Sequence, residues 1–180
     1  MTATVAIFGS SQTIPGSDEW AEAERAGYRC ASAGLTVVTG GYGGTMEAAS
    51  LGASRAGGSV IGVVAPDLFL ARSGANQYAT QVIEAKTLSE RIGVLTGLAT
   101  GAIVLPGSIG TAAELVIAWN QNHIMRRNGG PRLPTVAVGE EWRAFWALVT
   151  DRLGAVGEDV EVVDNVDQAV DWLLAQPEVH

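Results

Sequence analysis

The chain has 180 residues, a formal net charge of −8 and a single cysteine. We expect no DNA or RNA partner, because affinity for nucleic acids comes mostly from Lys and Arg side chains that neutralise phosphates. The length fits one domain spanning residues 1–180, and the lone Cys30 excludes an internal disulfide, which predicts a cytoplasmic protein.

The first half of the chain alternates short apolar runs with helical stretches, which is typical of a parallel sheet covered by helices on both faces. We predict strands at residues 5–8, 35–39 and 59–64, and helices at residues 18–33 and 45–56. The first strand begins near the N-terminus without a basic or long apolar leader, and no apolar run is long enough to cross a bilayer. We therefore predict neither a targeting segment nor a membrane segment.

The second half continues this alternation after one irregular stretch. Residues 65–80 show no helical or strand period and are longer than an ordinary connection, so we predict that they form a candidate lid. Beyond them we predict strands at residues 81–85, 102–105, 135–138 and 160–163, and helices at residues 88–100, from Gly110–Thr111 to 126–130, at 141–153 and from 165 to before Pro177. The whole pattern predicts an α/β fold with a doubly wound parallel sheet in a single domain.

The helix after Gly110 is apolar on every face over residues 115–119. Such a helix needs cover on more than its sheet side, and a second subunit is the simplest source of that cover in a small domain. We therefore predict a homodimer with Trp119 in its interface.

Three of the predicted strands end in turns of glycine and other small residues. The turns begin at Gly9, at Gly40 and at Pro106. Because the carboxyl ends of parallel strands share one edge of the sheet, we expect these turns to lie together where the strand order reverses. We predict that a small-molecule substrate and its phosphate contact these residues of the turns: Gly9, Ser10, Gly40, Gly41, Gly44, Gly107, Ser108, Gly110 and Thr111.

The stretch from Leu105 to Glu114 runs from a strand through a glycine-rich turn into a helix. Backbone N–H groups at a helix start lack intrahelical partners and lie at the positive end of the helix dipole, so they favour a phosphate. Glu114 stands one turn into that helix, beside whatever the turn holds. Thr111 and Glu114 also fit a capping box, in which they would satisfy each other's backbone donors. Capping and catalysis both stay open for this pair.

Other ligand chemistries match the sequence poorly. The turn at residues 41–46 lacks the last glycine of a dinucleotide-binding motif, and no glycine turn is followed by the Lys-Ser or Lys-Thr of a P-loop. His123 and His180 have no partners at ligand spacing, so we predict no metal site. Neither histidine is placed to activate a serine nucleophile.

Glu114 therefore remains as the candidate catalytic group, with Arg91 in support. Arg91 has an equal alternative, which is an ion pair with Glu84 or Glu90 at a helix surface.

Three motifs together resemble the LOG (Lonely Guy) family. They are the Gly-Gly-x-x-Gly-x-Met run at residues 40–46, the Glu-Arg pair at 90–91 and the Pro-Gly-x-x-Gly-Thr-x-x-Glu run at 106–114. The resemblance extends over most of the chain. Ser108 stands where the family has a second glycine, and Ser89 and Ile92 replace the histidine and lysine that flank the family's arginine.

The resemblance implies a Rossmann-like homodimer that hydrolyses the N-glycosidic bond of a nucleoside 5′-monophosphate, such as a cytokinin nucleotide or AMP. The products would be a free base and ribose 5-phosphate, and no cofactor would be needed. Glu114 would be the catalytic glutamate and Arg91 the catalytic arginine. The phosphate-binding turn would include Gly107, Gly110 and Thr111. The alternative is a non-catalytic carrier or sensor of a phosphorylated ligand such as molybdenum cofactor, which a related branch of the same superfold binds.

Overall fold

The fold is built on one parallel β-sheet. The computed structural model describes residues 3–72, 74–153 and 159–179. The strands are β1 (Thr4–Phe8), β2 (Thr36–Thr39), β3 (Val60–Val64), β4 (Gln81–Glu84), β5 (Gly101–Val104), β6 (Thr135–Val138) and β7 (Glu161–Val163). They pair in the order β4-β3-β2-β1-β5-β6-β7, and every pairing is parallel. The predicted doubly wound, Rossmann-like α/β fold is confirmed.

In the described residues, five α-helices connect strands and a sixth follows β7. They are α1 (Asp18–Ser32), α2 (Thr45–Arg55), α3 (Leu88–Leu98), α4 (Ile109–Asn128), α5 (Glu140–Leu153) and α6 (Val166–Leu174), followed by a 3-10 turn at Pro177–Val179. The side chains of Ser17, Thr87 and Asn165 cap α1, α3 and α6 by accepting backbone N–H bonds. Over the described ranges, no helix has the length and apolar character needed to span a membrane.

The two faces of the sheet carry separate apolar cores. Val5 and Ile7 of β1 contribute to the core under α1, α2 and α6, whereas Ala6 and Phe8 contribute to the core under α3, α4 and α5. This alternation follows from the period of two in a β-strand, which sends successive side chains to opposite faces. Cys30 fills the first core, where burial raises the pKa of its thiol to about 12.

Trp119 lies in the second core rather than on a free surface. Its side chain is only 7% exposed, and its ring meets Trp146 of α5 edge to face with 4.6 Å between centroids. The predicted interface position of Trp119 is therefore wrong, because α5 of the same chain supplies the cover that the sequence pattern required. A Trp119→Asp substitution would damage this core and would not report on an interface.

The strand order reverses between β1 and β5. The chain moves outward from β1 through β2, β3 and β4, then returns to the other side of β1 with β5 and continues to β6 and β7. In open parallel sheets, ligands bind in the crevice at the carboxyl ends of the two strands that flank such a reversal.

Candidate active site

A cavity of about 220 Å³ opens at this crevice. Its walls come from the ends of β1 and β2, from α3, from the start of α4 and from residues that follow β3. The predicted residues that line it are Gly9, Gly40, Arg91, Ser108, Gly110, Thr111 and Glu114. The fold thus brings all three glycine-rich turns and both candidate catalytic residues to one place.

The start of α4 presents uncapped backbone donors to this cavity. Ser108 is the N-cap residue, but its side chain makes no capping hydrogen bond. The first N–H groups of a helix have no intrahelical acceptor and carry the positive end of the helix dipole. An anion at Ser108–Thr111 would satisfy these donors.

Thr111 and Glu114 do not form the capping box that their spacing allowed. The helix already begins at Ile109, so Thr111 occupies its third position and is not the N-cap. The Thr111 hydroxyl is buried and has no hydrogen-bond partner among the described residues. Because buried hydroxyls are normally paired, this one is available to a ligand in the cavity.

Glu114 and Arg91 form a buried pair in the cavity wall. Glu114 Oε1 lies 3.7 Å from Arg91 Nη1, and the two side chains are only 12% and 7% exposed. The alternative interpretation of Arg91, a surface ion pair with Glu84 or Glu90, is wrong. The residue turns inward from α3 and meets a carboxylate from α4 that is distant in sequence.

Two further hydrogen bonds fix the Arg91 guanidinium. Its Nε donates to the Val63 carbonyl at 2.8 Å and its Nη2 donates to the Gly40 carbonyl at 2.9 Å. These bonds hold the planar group in one orientation, so that Nη1 is the edge directed at Glu114. The end of β3 and the turn after β2 thereby position a side chain of α3.

Burial is the largest influence on the pKa values of Glu114 and Arg91. Burial raises the pKa of the Glu114 carboxyl to about 7, although the positive charge of Arg91 acts in the opposite direction. Burial lowers the pKa of Arg91, and the negative charge of Glu114 opposes that change. A carboxyl that titrates near neutral pH is suited to exchange a proton with a substrate or a water molecule.

Two of the predicted glycines make room for protein side chains. A Cβ at Gly40 would lie 1.8 Å from Arg91 Nη2, and a Cβ at Gly107 would lie 2.2 Å from Thr111 Oγ1. Gly110 differs, because a Cβ there would meet no atom within 4 Å. Glycine at positions 40 and 107 therefore leaves the space that the Arg91 and Thr111 side chains occupy. The space beside Gly110 is open.

Four predicted residues, Ser10, Gly41, Gly44 and Gly107, belong to the same turns but do not line the cavity formed by the described residues. The Ser10 carbonyl accepts a hydrogen bond from the Thr45 N–H at 2.9 Å. Gly44 packs against that carbonyl and, with a φ of 71°, adopts a backbone conformation that side chains disfavour. Ser10 and Gly44 thus join the turn after β1 to the start of α2.

Sequence reasoning missed several cavity residues, among them Phe69 and Arg72. Both belong to the irregular stretch between β3 and β4, in which residues 65–72 and 74–80 form no helix or strand. The signal was the unusual length of that connection, which predicted a lid but could not indicate which side chains reach the cavity. Met46, in the first turn of α2, also lines the cavity.

Comparisons with known proteins identify the family and the fold of this chain. Residues 2–128 match the SLOG cluster4 family. A cytokinin riboside 5′-monophosphate phosphoribohydrolase from Mycobacterium marinum is 31% identical over 178 residues, covering 93% of this chain and 91% of the relative.

Two solved structures show the same fold. The molybdenum cofactor binding protein of Rippkaea orientalis has a TM-score of 0.76 at 19% identity and covers 97% of both chains. The molybdenum cofactor carrier protein of Chlamydomonas reinhardtii has a TM-score of 0.72 at 24% identity and covers 98% of this chain and 100% of that one. The resemblance to LOG proteins is confirmed by the sequence relative, and the chain belongs to the SLOG cluster4 family.

Proposed function

We propose that this chain hydrolyses the N-glycosidic bond of a nucleoside 5′-monophosphate, either a cytokinin nucleotide or an AMP-like nucleotide, to a free base and ribose 5-phosphate. The observation that carries the proposal is the buried Glu114–Arg91 pair in the same cavity as the uncapped start of α4. The mycobacterial relative bears the name of this activity.

The phosphate would bind at the start of α4. Backbone N–H groups of the first turn and the unpartnered Thr111 hydroxyl are donors without acceptors there. Binding at this point would hold the attached ribose near Glu114, which lies further along the same helix. Fixing the reacting carbon beside a catalytic group is itself a large source of rate enhancement.

Glu114 would act on the ribose and on the attacking water. The water oxygen bonds to C1′, and the C1′–N bond breaks with its electron pair passing to the base. Glu114 takes one proton from the water and returns it to the leaving base, so that the carboxylate is regenerated. Its negative charge also stabilises the oxocarbenium-like state between these steps. Arg91 keeps the carboxylate oriented and favours its ionised form.

The direct test incubates the purified protein with AMP, CMP, GMP and isopentenyl-AMP and follows the free base by chromatography. Release of a base together with ribose 5-phosphate supports the proposal. Saturable binding without turnover of any of these nucleotides would contradict it and favour a non-catalytic carrier, as the names of the two solved structures indicate for those proteins.

The pH dependence of hydrolysis provides a second test. With a Glu114 pKa of about 7, the ionised fraction falls about tenfold for each pH unit well below neutrality. We expect kcat/KM to decrease on the acid side of pH 7 and to level off above about pH 8. A profile that is flat from pH 5 to pH 8 would contradict a carboxylate base with this pKa. Activity that falls above pH 7 would mean that the protonated form reacts.

We also propose that the chain forms a homodimer through α4. Ile109, Val116 and Ile124 are exposed on this helix, and their spacings of seven and eight residues place them on one side. We expect Val116→Asp to convert a dimer to a monomer in sedimentation velocity. Leu148→Asp, on exposed α5 surface, is the matched control and should remain dimeric. A wild-type protein that sediments as a monomer at micromolar concentration would refute the interface.

A further inference from the structure

Arg72 is the second cation of the cavity and comes from the irregular connection between β3 and β4. It is half-buried, and it lines both the main cavity and a neighbouring polar cavity near Gly43 and Asn76. Its guanidinium carbon lies 4.4 Å from the centre of the Phe69 ring and 4.6 Å from the centre of the Tyr42 ring. Arg72 therefore stands on an aromatic platform at the cavity wall.

Hydrogen bonds and a ring contact join the segment that carries Phe69 and Arg72 to the turn after β2. The Tyr42 hydroxyl accepts a hydrogen bond from the Ala65 N–H at 2.7 Å, and the Tyr42 and Phe69 rings pack edge to face. Asn76 donates from its backbone to the Gly41 carbonyl at 2.6 Å and from its side chain to the Tyr42 carbonyl at 3.1 Å. The connection is thus bound to the glycine-rich turn on both sides of Arg72.

Arg91 and Arg72 differ in how many of their N–H donors already have a partner in the protein. Arg91 donates to two backbone carbonyls and faces Glu114, so its donors are largely committed. Arg72 makes no ion pair with any described residue, although the chain carries a net charge of −8. Contacts between a guanidinium carbon and ring centres use none of the N–H groups, which stay free to donate. Arg72 therefore offers an unneutralised charge and a free donor fork to the cavity.

We propose that Arg72 is a substrate-binding residue that selects ligands carrying a phosphate, by donating to the phosphate group from the side opposite the backbone donors of α4. The inference rests on the proposed function in so far as it takes the cavity to be the nucleotide site. A guanidinium fork matches two phosphate oxygens, and such charge-assisted bonds are stronger than those between neutral groups. Arg72 would then set the affinity for the nucleotide, while Glu114 carries out the reaction.

The test is isothermal titration calorimetry with AMP, ribose 5-phosphate and adenosine. The titrations use the Glu114→Gln background, so that AMP is not consumed. We expect Arg72→Ala to weaken binding of AMP and of ribose 5-phosphate by about tenfold to a hundredfold and to change adenosine binding by less than about twofold. Arg72→Lys, which keeps the charge and loses the fork, should lie between the two. Arg127→Ala removes an exposed arginine at the other end of α4 and should leave all three affinities unchanged.

Three results would overturn the inference. An equal loss for AMP and adenosine would assign Arg72 to the base or to the aromatic platform. A phosphate contact would be excluded if Arg72→Ala left the AMP affinity unchanged. It would also be excluded if the Glu114→Gln protein with Arg72 intact bound neither AMP nor ribose 5-phosphate. Failure of the proposed function is a separate result, because the wild-type protein would then bind AMP through Arg72 without releasing adenine. An unchanged melting temperature of Arg72→Ala excludes loss of the fold as the cause.

Discussion

Glu114→Gln is expected to reduce kcat for nucleotide hydrolysis by about 10² to 10⁴-fold while leaving the affinity for AMP nearly unchanged. Glutamine has the same shape, but it can neither carry the charge that stabilises the oxocarbenium-like state nor accept a proton from water. The fold should tolerate the change, because Arg91 keeps its bonds to Val63 and Gly40. Single-turnover assays with isopentenyl-AMP and calorimetry with AMP separate these two effects.

Glu90→Gln is the matched control for this experiment. Glu90 is an exposed neighbour of Arg91, and its side chain accepts a hydrogen bond from the Lys86 N–H, which the amide oxygen of glutamine can also accept. We expect the control to retain wild-type turnover. Equal turnover in the wild-type protein and Glu114→Gln would remove Glu114 from the reaction, and an equal loss in Glu90→Gln would indicate that the effect is not specific to the cavity.

The sheet could be predicted from sequence because a buried parallel strand is a short apolar run between turn residues. The strand predicted at residues 102–105 lies at Gly101–Val104, and the one predicted at 135–138 has those bounds in the structure. The position of the cavity could also be predicted, because the turns that follow parallel strands lie at the same edge of the sheet. Local pattern and chain topology were sufficient for these features.

Features that depend on contacts between distant residues could not be predicted in the same way. The residue before Arg91 in the sequence is the carboxylate Glu90, but the partner of Arg91, Glu114, lies on the next helix. A glycine motif likewise cannot show what fills the space beside it, and at Gly40 that space is occupied by the Arg91 side chain. Arg72 and Phe69 reach the cavity from a segment without periodicity, which offers no pattern to extend.

Arg91→Met is expected to lower the free energy of unfolding by about 3 to 5 kcal/mol at pH 8 and to abolish hydrolysis at neutral pH. The substitution removes hydrogen-bond donors from two backbone carbonyls and leaves the Glu114 carboxylate buried without a counter-charge. Because Arg91 lowers the pKa of Glu114, its loss should raise that pKa further above about 7. Urea denaturation followed by tryptophan fluorescence measures the stability.

The way in which the stability cost of Arg91→Met changes with pH distinguishes loss of the ion pair from loss of packing. A carboxyl whose pKa is raised in the folded state binds a proton more readily there than in the unfolded chain, so its burial destabilises the fold increasingly as the pH rises through the folded-state pKa. The cost of Arg91→Met should therefore be smaller at pH 5.5 than at pH 8. Adding Glu114→Gln should recover part of the stability at pH 8, since no unpaired carboxylate remains.

Arg55→Met is the control for removal of an arginine from a surface ion pair. Arg55 pairs with Glu24, and its side chain is 59% exposed, so the expected cost is less than about 1 kcal/mol and varies little with pH in this range. If Arg91→Met cost no more than Arg55→Met, or cost the same at pH 5.5 and pH 8, Glu114 would not depend on Arg91 for its charge. The carboxylate would then need another source of stabilisation at neutral pH, and the assignment of Arg91 as its positioning partner would fail.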